Sequence, residues 1–444
     1  MTTYWAPILH LYQPPTQEIE VLRNINRECY KPLFKVINNH DNAKFSININ
    51  GVLIELLEEY GMFDTIELIK NLESENKVKI LGTAKYHPIL PLIPEKEILR
   101  QIQMNEDLNK EIFGDHWEKK GFFPPELAIS PNVGKIVREL GYEWIIMSGI
   151  ACPKSWSYDK IYTSPHGLKL FFRDDILSNK ISFKKITAKK FLTEIGLLHK
   201  NEKEKNKNDT YIITAMDGET FGWHIKNYER TFIGKALDLI EKGIINKISP
   251  NFEPYNQSNS NEPENDRIEI DSIELEFISN LENYFPIAEE KIVPLSSSWS
   301  TSYEDLENNV YYPLWKHPEN DIHVFYWKSM KSLHKLMNLA DNLDLTQNWK
   351  VENYYNTARW FYDRALHSCP VWWANPYQGT WSPNLIYKGL ELIIKAALNA
   401  QLALVYAGIN DGDGYFDSIS YYHGLILMEM YSTTRKTSSS GSAQ

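Results

Sequence analysis

The sequence predicts an α/β fold in which a parallel β/α barrel comes first and a helical region follows. From Tyr4 to Ile213, short β-branched and aromatic runs alternate with helical patterns, and seven candidate strands can be counted. Strands separated by helices imply βαβ units and a parallel sheet. His10, His87, Glu126 and Asp217 each lie just after one of these strands. That is the end of a β/α barrel where active sites are assembled. Beyond about residue 291 the pattern turns helical.

The first strand is Tyr4 to Leu9, ending in His10-Leu11-Tyr12-Gln13-Pro14-Pro15. The two prolines stop it and leave His10 and Gln13 at its C-terminal end. A helical stretch around Tyr30 to Asn38 leads to the second strand, Lys44 to Asn50, which Gly51 stops. Val52 to Tyr60 reads as a helix whose Glu55 lies close to that strand exit. Lys77 to Thr83 is the third strand, leading into Tyr86-His87-Pro88-Ile89-Leu90-Pro91. Pro94 opens a long amphipathic helix through about Ile112. Gly121 to Phe123 is a short fourth strand, and Pro124-Pro125 form a stiff exit that aims Glu126. A glutamate in an apolar run is rarely buried without a partner or a function. The helix Val133 to Leu140, the strand Trp144 to Met147 and the strand Leu168 to Phe172 follow, the last exiting at Arg173-Asp174-Asp175. The polar run 199–209 reads as a solvated connection.

The seventh strand, Tyr211-Ile212-Ile213, ends in Asp217-Gly218-Glu219, with Phe221, Trp223 and His224 just beyond. Gly218 breaks the strand and frees the backbone to turn. Carboxylates beside aromatic rings suit sugar chemistry: an acid for the leaving oxygen, and flat faces for pyranose rings. The low-complexity stretch 253–265 reads as a loop, and Lys291 to Leu295 as an extra strand leading to Trp299. Helices follow at about Phe325–Leu343, Gln347–His367, Asn384–Tyr406 and Tyr415–Arg435. They are interrupted by an aromatic loop containing Trp372, Trp373 and Trp381, which is costly to expose unless it covers something. The expected division is a barrel over 1–290, a helical domain over 291–436 that contributes to the substrate cleft, and a disordered tail over 437–444.

Composition narrows the function. A net charge of −11 with 13% aromatic residues argues against nucleic acid or an anionic membrane face, and favours a neutral, ring-shaped ligand. Cys29, Cys152 and Cys369 are scattered, without the spacing of a disulfide framework or a zinc ribbon. The N-terminus lacks the features of a signal peptide, and no stretch reads as apolar for long enough to span a bilayer. A cytoplasmic setting is therefore expected. Nothing in the sequence reports on oligomeric state.

Four stretches together resemble glycoside hydrolase family 57, which includes α-amylases, 4-α-glucanotransferases, amylopullulanases and branching enzymes. His10-Leu11-Tyr12-Gln13-Pro14 looks like its first motif and Tyr86 to Pro91 like its second. Phe122 to Glu126 matches the third and Asp217 to Gly222 the fourth. The fifth, often Trp-His-Gly, reads Val371-Trp372-Trp373-Ala374-Asn375 here. The resemblance implies an incomplete seven-stranded β/α barrel followed by a helical bundle. It also implies retaining action on α-1,4-linked glucans such as maltooligosaccharides, starch or glycogen, without metal or other cofactor. Glu126 then becomes the nucleophile and Asp217 the general acid/base. His10, Gln13, Glu55, His87, Glu219, Trp223, Trp299 and Trp373 are the expected substrate-binding residues. An ionised Glu126 is expected to raise the pKa of Asp217, so that Asp217 holds the proton.

Two rival classes are weighed beside it. In a metal-dependent carbohydrate hydrolase of the mannosidase or deacetylase type, His10, His87, His224 and Asp217 would bind zinc, although no His-x3-His pair is present. A non-catalytic glucan-binding protein on the same scaffold would have no use for both Glu126 and Asp217.

Overall fold

The computed structural model describes residues 1–198, 208–243, 272–346 and 348–440. The 253–265 stretch, most of the 199–209 run and residues 441–444 lie outside them.

Seven strands form the barrel: β1 (Thr2–Leu11), β2 (Phe45–Ile49), β3 (Val78–Ile80), β4 (Gly121–Phe122), β5 (Trp144–Ser148), β7 (Lys169–Arg173) and β8 (Thr210–Asp217). Between β5 and β7 lies a short hairpin strand, β6 (Ile161–Thr163), antiparallel to β7. Parallel pairing runs β3-β2-β1-β8 in one sheet and β7-β5-β4 in the other. Gly82 joins the two arcs on one side, pairing with β4 through 2.8 Å hydrogen bonds to Gly121 and from Phe123. On the other side the backbone bond from Asp174 N to Ile213 O, 2.9 Å, and the Arg173 guanidinium on Ala215 O, 2.8 Å, join β7 to β8. These seven strands are the seven that the sequence predicts.

Period-two alternation explains which side chains line the interior. Tyr4, Ala6 and Ile8 of β1, Tyr211, Ile213 and Ala215 of β8, Trp144 and Ile146 of β5, and Phe171 of β7 pack into one central cluster. Trp5 and Leu9, or Phe45, Ile47 and Ile49, take the opposite phase and pack under the surrounding helices. His10 and Asp217 continue the inward phase of their strands, so both face the mouth.

Two parallel strands were not expected as such. β9 (Ser272–Leu275) pairs with the first half of β1, the half that β2 leaves uncovered. β10 (Ile287–Lys291) pairs with β6, whereas the sequence suggests a strand just beyond it, at 291–295. Only Lys291 of that expected strand lies in β10, and 292–295 run as connecting chain, with Leu295 N bonded to Ala151 O.

The helical region contains Asp321–Ala340, Trp349–Ala365, Pro383–Tyr406 and Asp413–Ser440. The last helix runs past the expected end at Arg435 and takes in residues 437–440 of the expected disordered tail. Thr434, Thr437 and Ser438 turn their hydroxyls back onto carbonyls one turn earlier, which spares their competition with the helix backbone. Pro383–Tyr406 also corrects the hydropathy reading. Its 24 residues are long and apolar enough to cross a membrane, but half of its most apolar stretch is buried inside the protein. Arg359 clamps the bundle to the barrel, reaching Glu97 at 2.9 Å and Asp363 at 2.9 Å, while Arg100 binds Asp363 with both arms.

Candidate active site

The first corner of the site follows from strand phase. On β1, His10 lies abreast of Asn48 on β2 and of Asp217 on β8. His10 Nδ1 meets Asn48 Oδ1, and its Nε2 lies 3.1 Å from His87 Nε2. His87 is fully buried between the Tyr12 ring, 3.8 Å away centroid to centroid, and His10. Burial lowers the pKa of both histidines, and His87 falls well below the ordinary range. Both rings are therefore neutral near pH 7.

Glu126 forms the second corner. Pro124 and Pro125 carry the chain from β4 into a single tight turn, and there Glu126 takes φ 59° and Leu127 φ 47°. His87 is left-handed as well, at φ 57°. Non-glycine residues held in this region cost on the order of 1 kcal/mol or more each, and such strain concentrates at functional sites. The Glu126 carboxylate accepts from Ser368 Oγ at 3.3 Å, and Ser368 Oγ also lies 2.9 Å from His87 Nδ1. Trp299 donates its main-chain N–H to Glu126 O at 3.2 Å. Its ring stands edge-on to His10 and Phe123. Burial, and after it the charge of Asp217, pushes Glu126 up to about 8. The upward push falls on Glu126, the carboxyl expected to be ionised. In the ligand-free protein Glu126 is the carboxyl driven towards its neutral form, because its turn sits among Phe123, His87 and Trp299 rather than among strong donors.

The third corner is the turn Gly218–Thr220 after Asp217. Glu219 is buried, and its Oε1 receives Tyr30 Oη, Gln13 Nε2 at 3.0 Å and the Tyr12 main-chain N–H at 3.4 Å. Burial, then Asp217, pushes Glu219 up to about 7, against the pull of these donors. Gln13 also bonds Tyr30 and takes a hydrogen bond from Gln17, so its amide is spent on fixing Glu219. Gly222, at φ +127°, lets the following loop pass Glu28, whose carbonyl would lie 2.3 Å from an added Cβ.

The remaining expected residues scatter. Glu55 pairs with Lys85 at 2.8 Å, accepts from Tyr86 Oη and reaches Arg364, so it belongs to the contact between barrel and bundle. Trp223 is half-buried just beyond Glu219, with Lys226 over its ring. Trp373 packs edge-on against Trp372 in the hydrophobic cluster of the bundle. The set weighed for zinc does not converge: His224 is exposed, and His10 and His87 turn their Nε2 atoms on each other.

Tyr12, Tyr30, Asn48 and Ser368 are site residues absent from the sequence-derived set. Asn48 could have been found. Ser46, Asn48 and Asn50 alternate with Phe45, Ile47 and Ile49, an unusual polar phase for a strand buried on both faces. Ser368 carries no local signal, since only the fold brings it to Glu126.

Comparison with known proteins gives the family and the fold. Residues 2–261 match the profile of glycosyl hydrolase family 57. An α-amylase of Pyrococcus abyssi is 27% identical over 228 residues, which make up 50% of this chain and 33% of that protein. A 4-α-glucanotransferase of Thermococcus litoralis is 25% identical over 231 residues, with the same coverage. The chain thus spans about a third of the length of these curated relatives. The crystal structure of a family 57-type branching enzyme from Pyrococcus horikoshii superimposes with a TM-score of 0.69 at 13% identity, covering 95% of this chain and 94% of that one.

Proposed function

Since the chain belongs to glycosyl hydrolase family 57, we propose that it is a retaining glycoside hydrolase or transglycosylase acting on α-1,4-linked glucans by double displacement. One observation carries the reading: Glu126 and Asp217 stand at the same barrel mouth, close enough for the charge of Asp217 to raise the pKa of Glu126. Two carboxyl groups across a glycosidic bond are what a retaining mechanism requires.

In this reading Glu126 attacks the anomeric carbon while Asp217 protonates the leaving oxygen. Asp217 then takes a proton from water or from an acceptor sugar hydroxyl, which displaces Glu126 and restores the α configuration. The pair needs one proton between them. Burial places it on Glu126 in the free protein, so productive binding has to transfer it. Positive charge developing at the anomeric carbon favours that transfer, because it stabilises an ionised Glu126. Trp299, beside His10 and Phe123, supplies an aromatic wall next to the nucleophile.

The test is product analysis with maltooligosaccharides of graded length. Shorter sugars with retained α configuration would indicate hydrolysis, and a ladder of longer and shorter sugars would indicate transfer. No change in any of them, by protein active on no α-glucan, would overturn the proposal.

A further inference from the structure

Five polar groups run in one buried file from the barrel wall to Glu126. Asn48 Oδ1 meets His10 Nδ1, and His10 Nε2 meets His87 Nε2 at 3.1 Å. His87 Nδ1 meets Ser368 Oγ at 2.9 Å, and Ser368 Oγ meets Glu126 Oε1 at 3.3 Å. Asn48 and His87 are fully buried, and His10 and Ser368 are 3% and 2% exposed. Water has little access to any of these links.

Each neutral imidazole carries one N–H and one bare nitrogen. Once the direction of one bond is set, every other direction follows. With Glu126 protonated, its O–H donates to Ser368, Ser368 to His87 Nδ1, His87 Nε2–H to His10, and His10 Nδ1–H to the Asn48 carbonyl. With Glu126 ionised, all the bonds reverse. Ser368 donates to the carboxylate, His87 Nδ1–H to Ser368, His10 Nε2–H to His87, and the Asn48 NH2 to His10. Between the two states one proton is released to water, and each ring moves its N–H to the other nitrogen.

Asn48 is the group that permits both. An amide presents an oxygen or an NH2 of nearly equal size after a half-turn, which no other neutral side chain but glutamine can do. Here its oxygen faces His10, and its Nδ2 is buried without a partner. This is the protonated-Glu126 arrangement. Reversal gives that orphaned donor a use, since its hydrogen then points at His10.

We infer that Asn48, His10, His87 and Ser368 form a reversible hydrogen-bond file that holds Glu126 in both of its protonation states, with Ser368 as the positioning residue for the nucleophile. Only the catalytic consequence rests on the function proposed above; the file itself does not. The other groups facing Glu126 are Asp217 from β8, Tyr12 after β1, and Cys369 and Trp299. His367 adds to the pull that keeps His87 neutral. Asp217 acts on His10 and Glu126 through its charge, and His87 Nδ1 lies 3.6 Å from Glu126 Oε1, too far for a hydrogen bond, so the bonded route from the carboxylate to the rings runs through Ser368.

The experiment uses the whole protein labelled with 15N-histidine. The tautomers of His10 and His87 are followed by NMR across pH, with signals assigned through single-residue variants. Both rings should exchange tautomer together where Glu126 titrates, and Glu126→Gln should abolish the exchange. Ser368→Ala should uncouple the rings and move the alkaline limb of kcat/KM up by about one pH unit, because that limb reports the carboxyl that keeps its proton longest in the free protein, Glu126, whose ionised form loses its donor. Ser368→Thr, which keeps the hydroxyl, should restore both. Rings that keep one tautomer throughout, or a single ring that moves alone, would overturn the file. An unmoved alkaline limb in Ser368→Ala would overturn the positioning role. Near-normal turnover in Glu126→Gln would instead sink the assignment of the nucleophile and leave the tautomer result standing.

Discussion

Glu126 and Glu219 invite comparison, because the same forces act on both and the protein treats them differently. Glu219 is buried and the Glu126 side chain is 13% exposed, and each is pushed up by desolvation first and by Asp217 second, to about 8 for Glu126 and about 7 for Glu219. Glu219 lies in an ordinary turn with three donors on one oxygen. Glu126 lies in a left-handed turn, where the Ser368 hydroxyl, 3.3 Å away, and the Trp299 side chain are its donors. Donors lower the energy of a carboxylate and with it its readiness to attack. A glutamate held by three donors on one oxygen fits a place in the frame, whereas one on a strained turn with fewer donors fits the role proposed for the nucleophile.

The harshest test of the contrast is Glu126→Gln, which keeps shape and removes the attacking charge. Turnover should fall by on the order of 10⁴-fold or more with the fold intact. Glu219→Gln should cost far less in turnover and be felt in thermal stability. The reverse ranking would exchange the roles of the two residues.

Asp217→Ala comes next. Natural linkages should be cut on the order of 10²–10⁴-fold more slowly, while an activated α-glucosyl fluoride, which needs no protonation, still loads Glu126. Azide should then speed turnover and give the α-configured product. In Glu126→Ala azide should give the β-configured product instead. If Glu219→Ala rather than Asp217→Ala showed azide rescue with retention, Asp217 would lose its role.

A third test measures the burden that Glu126 places on the fold. Below about pH 4.5 the residue is protonated whether folded or unfolded and makes no difference. As pH rises to about 8, the unfolded chain releases this proton and the folded chain keeps it, so stability falls across that window. Glu126→Gln removes the burden. The variant should match its parent near pH 4 and exceed it above pH 8 by on the order of a few kcal/mol in denaturant titrations. A parent at least as stable as the variant at pH 8.5 would contradict the burial of an unpaired carboxyl.

The smallest effect is expected at Glu55. Paired with Lys85 and Arg364 on the partly exposed rim, it should cost within about 1 kcal/mol of stability when changed to Gln, and kcat should hardly move. A large fall in affinity for glucan would return it to the substrate-binding set.

The barrel was legible in the sequence because each strand announces itself locally. Gly51, Pro14 and Gly218 stop their strands, and the chemistry-bearing residues stand at those stops. The inner and outer phases were also legible in principle, as the polar series Ser46, Asn48 and Asn50 demonstrates. What stayed hidden depends on tertiary contact. Nothing near Gln13 indicates that its amide is spent on Glu219, and nothing near Glu55 indicates two cationic partners. The aromatic loop drew attention to Trp373, whereas the residue that reaches Glu126 is the plain serine just before that loop. That Glu126 is pushed towards its neutral form is decided by the burial of its turn, and no spacing in the chain encodes it.

Ser368 also sets a clock. It is made roughly 150 residues after Asp217, so at ordinary synthesis rates of about 5–20 residues per second the last link to Glu126 emerges roughly 8–30 s later. A barrel still attached to its ribosome has both carboxyl groups in hand but neither the hydroxyl nor the bundle wall that holds Glu126 in place. Until the helices dock, the growing chain carries both carboxyl groups in a barrel whose Glu126 lacks its hydroxyl partner, so the site is completed by a part of the chain made after the barrel.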